Sequence, residues 1–494
     1  MKKLELSSDQ KKTRDLFEIL LKSSDWLPSQ RHNGISFNYV MKSCLMLLFS
    51  AAATLNPLYA ENQKNAENIP SGVLLDTSKI NIKGVVKPGK VSFSQNEEMT
   101  FVLSVDLGGQ TYSIPYYFNW TRVGDDGKMD KGSAEIAPDK TVIIKTSMNK
   151  PGFVYIKGVL VDHGGNTILS GKQVQGKTVL APIAFHGGAG VDIDKLVQAV
   201  PEPVDFDAYW NHQKKILNAV PIKYKMDKVS KEGSKLEVFA VKVDCAGTRP
   251  VTGYLTIPAA AKEKSLPIVV HYQGYGINVQ KPPSGGPSQE ISFSVNAHGY
   301  DLGKDTAYYD EFFKNIKSSN MTPSHGVLFY YAWDPIQNAN PETAYFNGMV
   351  LRVMCSLQFV KSLPQWDGRQ LTVQGTSQGG LQTIWAAGLD HDVTCALPGF
   401  IWCCDFSGAN VGRIKGWQPE WVPALGYFDA VNHAKRVKCP VNITGAGLGD
   451  YTCPPSGLAI LYNVLKVPKK IHYSQCVHVG VLPENAQTID LAEE

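Results

Sequence analysis

An α/β protein with a smaller β-sandwich domain ahead of it is the architecture this 494-residue sequence predicts, and three features predict it. From about 73 to 182 the chain runs as short alternating apolar and polar stretches, broken by Gly, Asp and Asn at roughly ten-residue spacing. That is the texture of antiparallel strands packed face to face. From about 203 to 494 long helical patterns alternate with short apolar runs, as in a mostly parallel sheet covered by helices. Third, "QLTVQGTSQGG" (370–380) passes straight from a strand pattern to a helix pattern through glycines and one serine.

The elements follow in order. "VSFS", "MTFVLSVDL", "TYSIPYYFNW", "KTVIIKTSM" and "GFVYIKGVLVD" read as sandwich strands. "GDDGKMDKG" (124–132) has the look of a calcium loop but lacks a glutamate at the twelfth position, so it reads as a hairpin turn. "IAFHGGAGVDIDKLVQAVPEPVDF" reads as a connection. Its "FHGGAG" (Phe185–Gly190) mimics an oxyanion signature, yet it lies ahead of the α/β region and is taken as linker. Asp205–Val220 is an amphipathic helix with Asp205 as a cap. Strands are then expected at "LPIVVHYQGYG", "GVLFYYAW", "QLTVQG", "CPVNITGAG" and "KKIHYSQC", with helices at "TAYFNGMVLRVMCSLQFVKSL", "GLQTIWAAGLD" and "PSGLAILYNVLKV".

Composition bounds the function classes. Hydrophobic residues make up 43% and charged residues 19%, as in a globular protein with a large core. Net charge is +4 and is concentrated in residues 1–60, so no nucleic-acid footprint is present. Met41–Ala60, "MKSCLMLLFSAAATLNPLYA", has the layout of a secretory signal cleaved after Ala60. It is short for a membrane span, and Cys44 precedes the apolar run, so no stable membrane anchor is expected after cleavage. Residues 1–40 form an extension of uncertain standing, with Met41 an alternative start. The expected location is the periplasm or the medium. Of nine cysteines, eight lie beyond Ala60; an even number permits disulfides after export, with buried thiols the alternative. Neither CxxC nor HExxH occurs, so no metal site is expected.

The serine turn carries the chemistry. Gly375-Thr376-Ser377-Gln378-Gly379 is a G-x-S-x-G pattern between strand and helix, the nucleophile elbow of an α/β-hydrolase fold. A hydroxyl needs a base, and the base an orienting acid, in the chain order Ser, Asp/Glu, His. Downstream histidines are His391, His433, His472 and His478. His391 ends the elbow helix, His433 lies in a helical stretch, and His472 alternates within the last strand. His478 follows that strand in a loop, so it is the base, with His472 as fallback. Asp450, directly after "VNITGAGLG", is the acid; Asp405 and Asp429 come before that strand. The oxyanion requires two amides, assigned to Gln378 and to Tyr275 in "HYQGYG".

On these residues the segment from about 203 to 485 resembles the acetyl xylan esterase and cephalosporin-C deacetylase group, carbohydrate esterase family seven. "DFDAYW", "YQGYG", "GTSQGG" and "LPGFIWCCDF" resemble its motifs in order. "GLGDYTCPPSGLAILYNVLKVPKKI" resembles its acid loop, following helix and last strand. Two departures stand out. An Arg-Gly-Gln motif is replaced by "YYAWDPIQNANPETAY", and Val479 rather than glutamate follows His478. The sandwich resembles the extra domain of some exported members. The family commonly forms ring-like hexamers, which leaves a homo-oligomer open.

The resemblance implies an exported serine esterase, an α/β-hydrolase preceded by an Ig-like sandwich. It would act on acetylated xylo-oligosaccharides or another small acetyl ester, without cofactor. Trp402, Trp333 and Tyr451 are candidates to border a sugar, with core packing as the alternative. A prolyl-oligopeptidase-like peptidase and a catalytically degenerate glycan-binding protein are the other readings.

Overall fold

The computed structural model describes residues 75–110, 115–137, 140–174, 177–277, 279–284, 289–317, 330–478 and 486–493. The expected signal and the extension before it, Val479, and much of the expected strand "GVLFYYAW" lie outside these residues. All described residues belong to one compact unit.

Ten strands build the N-terminal part: β1 (Asn81–Lys87), β2 (Ser92–Phe93), β3 (Met99–Asp106), β4 (Tyr117–Gly124), β5 (Met129–Glu135), β6 (Val142–Thr146), β7 (Gly152–Val161), β8 (Leu169–Val174), β9 (Lys177–Pro182) and β10 (Ala184–Val191). A three-stranded sheet, β1-β3-β6, faces a five-stranded sheet, β2-β10-β7-β4-β5. Strict alternation drives this: β3 buries Met99, Phe101, Leu103 and Val105 on one face. Those side chains meet Phe118, Val154, Ile156 and Phe185 of the other sheet. The "GDDGKMDKG" segment is the β4–β5 hairpin, and Arg122 is ion-paired there with Asp126 at 2.7 Å, the two side chains each 1% exposed.

"FHGGAG" is not a linker. It is the middle of β10, antiparallel to β7 from Ala184↔Val159 to Val191↔Gly152. Its glycines hid it, since glycine weakens strand propensity unless a close backbone approach requires it.

The second part is a ten-stranded mixed sheet: β11 (Tyr224–Lys228), β12 (Leu236–Val243), β13 (Val251–Pro258), β14 (Leu266–Tyr272), β15 (Ile291–Val295), β16 (Trp366–Thr376), β17 (Cys395–Gly399), β18 (Val441–Gly447), β19 (Lys469–Ser474) and β20 (Thr488–Glu493). Its order is β11-β12-β13-β15-β14-β16-β17-β18-β19-β20, and β15 through β19 run parallel. The helices are α1 (Phe206–Asn218), α2 (Thr306–Ile316), α3 (Pro335–Asn338), α4 (Tyr345–Lys361), α5 (Gln378–Leu389), α6 (Ala430–Ala434) and α7 (Pro455–Val464). Both α4 and α5 are apolar nearly all round and buried, as helices within a large core must be. Among the described residues no helix is long and apolar enough to cross a membrane.

In such a sheet the reactive loops gather at the carboxyl ends of the strands. Here those are the ends of β14, β16, β17, β18 and β19.

Candidate active site

Strand β16 ends at Thr376, α5 starts at Gln378, and Ser377 alone makes the turn with φ 60° and ψ −120°. A side chain in that region costs on the order of 1–3 kcal/mol, so the surroundings must impose it. The glycines show how. A Cβ on Gly379 would stand 2.3 Å from the Tyr272 carbonyl oxygen, and one on Gly375 would stand 2.6 Å from the backbone of Gly379. Strand and helix touch backbone to backbone, and the serine has nowhere else to go.

The Ser377 hydroxyl lies 3.0 Å from His478 Nε2, and His478 Nδ1 lies 2.8 Å from Asp450 Oδ2. With Nδ1–H donating to the carboxylate, Nε2 is left to accept from the serine. The other carboxylate oxygen of Asp450 accepts from the amides of Thr452 (2.7 Å) and Cys453 (3.0 Å). The carboxylate is thereby fixed in rotation. The Phe400 ring stands edge-on to the imidazole, centroids 5.8 Å apart, and Phe400 itself has φ 45°.

The alternatives are engaged elsewhere. His472 bonds Asp490 at 2.8 Å on β20. His433 is buried with Nε2 on the Tyr427 carbonyl. Asp405 pairs with Arg413, and Asp429 caps α6 and accepts the amides of Asp405 and Phe406.

Gln378 is the first residue of α5, and its amide is one of those no helix carbonyl can reach. Facing it, the loop after β14 carries Tyr275. Tyr331 holds the two together, and sequence reasoning did not single it out. Its hydroxyl donates to Gln378 Oε1 (2.9 Å) and accepts from the Gly276 amide (3.0 Å). Buried His298 adds a bond from Nε2 to the Gly276 carbonyl at 2.8 Å. Only the paired tyrosines of "YYAW" hint at this, and no spacing rule links them to the elbow.

The aromatic candidates separate. Trp402 is completely buried, its indole N–H donating to the Trp417 carbonyl, so it is core and borders no sugar. Trp333 is half-buried against Trp417, centroids 5.0 Å apart. Tyr451 is half-buried and packs on Tyr155 and His186 of the sandwich, each at 6.2 Å.

Asp450, Cys453 and His478 each offer a donor atom within 4.8 Å of the others. A cation there would compete with the Nδ1–H bond to Asp450, so the donor set suits an acid–base pair better than a metal.

The family model for acetyl xylan esterase (AXE1) matches residues 192–412 and 414–489, more than half of the chain. This chain belongs to the acetyl xylan esterase family. It is a carboxylic ester hydrolase. The acetyl esterase Axe7A of Xylanibacter ruminicola is 27% identical over 352 residues, covering 69% of this chain and 73% of that protein. Two solved structures are also similar. An acetyl xylan esterase from Paenibacillus sp. R4 has 24% identity over 58% of this chain and 94% of its own, with a TM-score of 0.47. Acetyl xylan esterase 1 from Thermoanaerobacterium sp. has 19% identity over 58% and 93%, with a TM-score of 0.46. The family match begins at residue 192, so the esterase carries its sandwich strands ahead of the matched region.

Proposed function

We propose that this esterase is exported through the signal at 41–60 and removes acetyl groups from acetylated xylo-oligosaccharides or related glycans. Ser377 is the nucleophile, His478 the base and Asp450 the acid that orients it. The supporting observation is the unbroken hydrogen-bond chain from Ser377 through His478 to Asp450 at the end of the strained turn. The substrate class rests on family membership and on the relative named as an acetyl esterase.

Ser377 Oγ attacks the acetyl carbonyl carbon while its proton passes to His478 Nε2. The oxyanion accepts from the amides of Gln378 and Tyr275. Collapse breaks the bond to the sugar oxygen, which takes the proton from Nε2 and departs as an alcohol. Water then gives a proton to Nε2 and attacks the acetyl-serine, and acetate leaves as Ser377 regains its proton. Asp450 stabilises the imidazolium formed in each half. Trp333 and Tyr451, both part-exposed, border the departing sugar.

The test is turnover of p-nitrophenyl acetate against butyrate and longer esters, with Ser377→Ala alongside, followed by acetate release from acetylated xylo-oligosaccharides. Turnover confined to short chains, abolished by the substitution and extending to the oligosaccharides, is expected. Equal turnover by Ser377→Ala would remove the nucleophile assignment. Export is read from the N-terminus of protein recovered outside the cytoplasm, which should begin at Glu61.

A further inference from the structure

We propose that the N-terminal sandwich is a working part of the active site, in which the glycine strand β10 clamps the two loops bearing Asp450 and His478 and sets their separation. The proposal rests on the triad reading above.

The two loops leave adjacent strands, β18 and β19, and each is bound by β10. On the base side, Gln475 lies three residues before His478 and is 2% exposed. Its side chain accepts from the Gly188 amide at 2.8 Å and donates to the Gly188 carbonyl at 2.9 Å. One amide side chain therefore reads one sandwich residue through both its polar groups. On the acid side the contact is backbone on backbone. A Cβ on Gly188 would stand 2.3 Å from the Leu448 carbonyl oxygen, and one on Gly449 would stand 2.5 Å from the His186 carbonyl carbon. A Cβ on Gly187 would meet Gln475 Oε1 at 2.1 Å. Gly187 and Gly188 thus stand where any side chain would push the base loop or the acid loop away.

A polar and aromatic tie closes the seam beside Asp450. The Tyr155 hydroxyl bonds His186 Nδ1 at 2.7 Å, and both rings pack on Tyr451, the residue after the acid. Farther along, Asp125 of the β4–β5 hairpin accepts the Ile414 amide at 2.8 Å. Phe153 of β7 joins the hydrolase core and packs on Tyr473 of β19 at 6.3 Å. The family match starts at residue 192, immediately after β10 ends, so the sandwich half of this clamp lies outside the matched region while Gln475 lies within it.

Gln475, Gly188 and Tyr155 are positioning residues, since they reach Ser377 only through the loops they hold. Misplacing an acid–base pair by about 1 Å costs on the order of 100-fold in turnover while leaving substrate contacts in place. The experiment uses the full chain with Gln475→Met, Gly188→Ala and Tyr155→Phe, measuring kcat and KM on p-nitrophenyl acetate per folded site. A fluorophosphonate provides the rate of Ser377 labelling, and thermal melting provides the folded fraction. Gln475→Met and Gly188→Ala should lower kcat and the labelling rate by about 10- to 100-fold with KM within about two-fold. Tyr155→Phe, which removes one oxygen and no packing, should lower kcat a few-fold, and it keeps the test decisive if Gly188→Ala does not fold. Wild-type kcat in folded Gln475→Met and Tyr155→Phe would overturn the proposal. So would a loss matching only the unfolded fraction. Ser377→Ala separates the two readings: if it is inactive and the clamp variants are not, the clamp falls and the triad stands; if it is active, the triad falls first.

Discussion

Tyr275 and Tyr331 hold each other from both ends. Their rings stack at 4.1 Å and 8°, the Tyr275 hydroxyl donates to the Tyr331 carbonyl at 3.1 Å, and the Tyr331 amide donates back to that hydroxyl at 3.0 Å. Two loops far apart in sequence thus move as one piece, and the Tyr331 hydroxyl ties that piece to Gln378. Oxyanion donors act by being in place before charge develops, so this pair bears on rate rather than on affinity.

Tyr331→Phe removes one hydroxyl that both accepts from Gly276 and donates to Gln378. A fall in kcat of about ten-fold, equivalent to about 1.4 kcal/mol, with KM nearly constant, is expected from steady-state kinetics on p-nitrophenyl acetate. An unchanged kcat would show that the loop keeps its place without the tyrosine.

Asp450→Asn keeps the shape and the acceptor for Thr452 and Cys453 but loses the charge opposite His478. The imidazole can then present N–H to the serine instead of a lone pair. On the proposed triad, kcat should fall by about three to four orders of magnitude. The melting temperature should change little, and a modest fall in kcat would mean another group orients the histidine.

Gly379→Ala forces a methyl against the Tyr272 carbonyl, which strand pairing holds on both sides. A loss of about 3 kcal/mol or more is expected from urea unfolding, or no soluble protein. Gly164→Ala, whose Cβ would meet only side-chain atoms of Asn166 and Asp162 at 3.2 Å and 3.3 Å, serves as the tolerant comparison.

His433 is the cleanest pH probe. Burial lowers its pKa to about 3, its Nε2–H already serves the Tyr427 carbonyl, and its Nδ1 has no partner among the described residues. The unfolded chain takes up this proton near pH 6.5 and the folded chain only near pH 3. The neutral ring's contribution is therefore full above pH 6.5 and is lost as pH falls toward 3. At pH 5 that loss is about 2 kcal/mol. The whole-protein curve hides it, because burial raises Asp429 and Glu290 to about 7 and these gain stability on the same descent. The readout is a difference: the destabilisation caused by His433→Gln should shrink by about 2 kcal/mol between pH 8 and pH 5. A constant difference would contradict the assignment.

The elbow was legible because its signal is local: a strand, a turn and a helix in consecutive residues, each with its own pattern. His478 is separable from His472 by position, since His472 lies within β19 and is paired with Asp490 of β20 while His478 lies past the strand end. Tyr331 was not legible, because its partners lie 55 and 47 residues away and nothing in spacing encodes them. "FHGGAG" reads as a connection for a related reason. Its glycines answer to loops at 448–450 and 475, and without those loops on view they look like a flexible connection. Trp402 is a sugar candidate on residue type alone, and residue type does not tell that it is completely buried.

The ten-stranded sheet ends on β11, "YKMDK", at one rim and β20, "TIDLAE", at the other. Each rim strand places charges along an otherwise open row of backbone donors and acceptors, and Lys469 and Lys470 fasten β20 through Glu493 and Asp490. A sheet this wide is a template for a second copy to extend, and charge at both margins makes that extension unfavourable. Charge on both rims thus disfavours edge-to-edge pairing between crowded molecules of this esterase, a property separate from turnover.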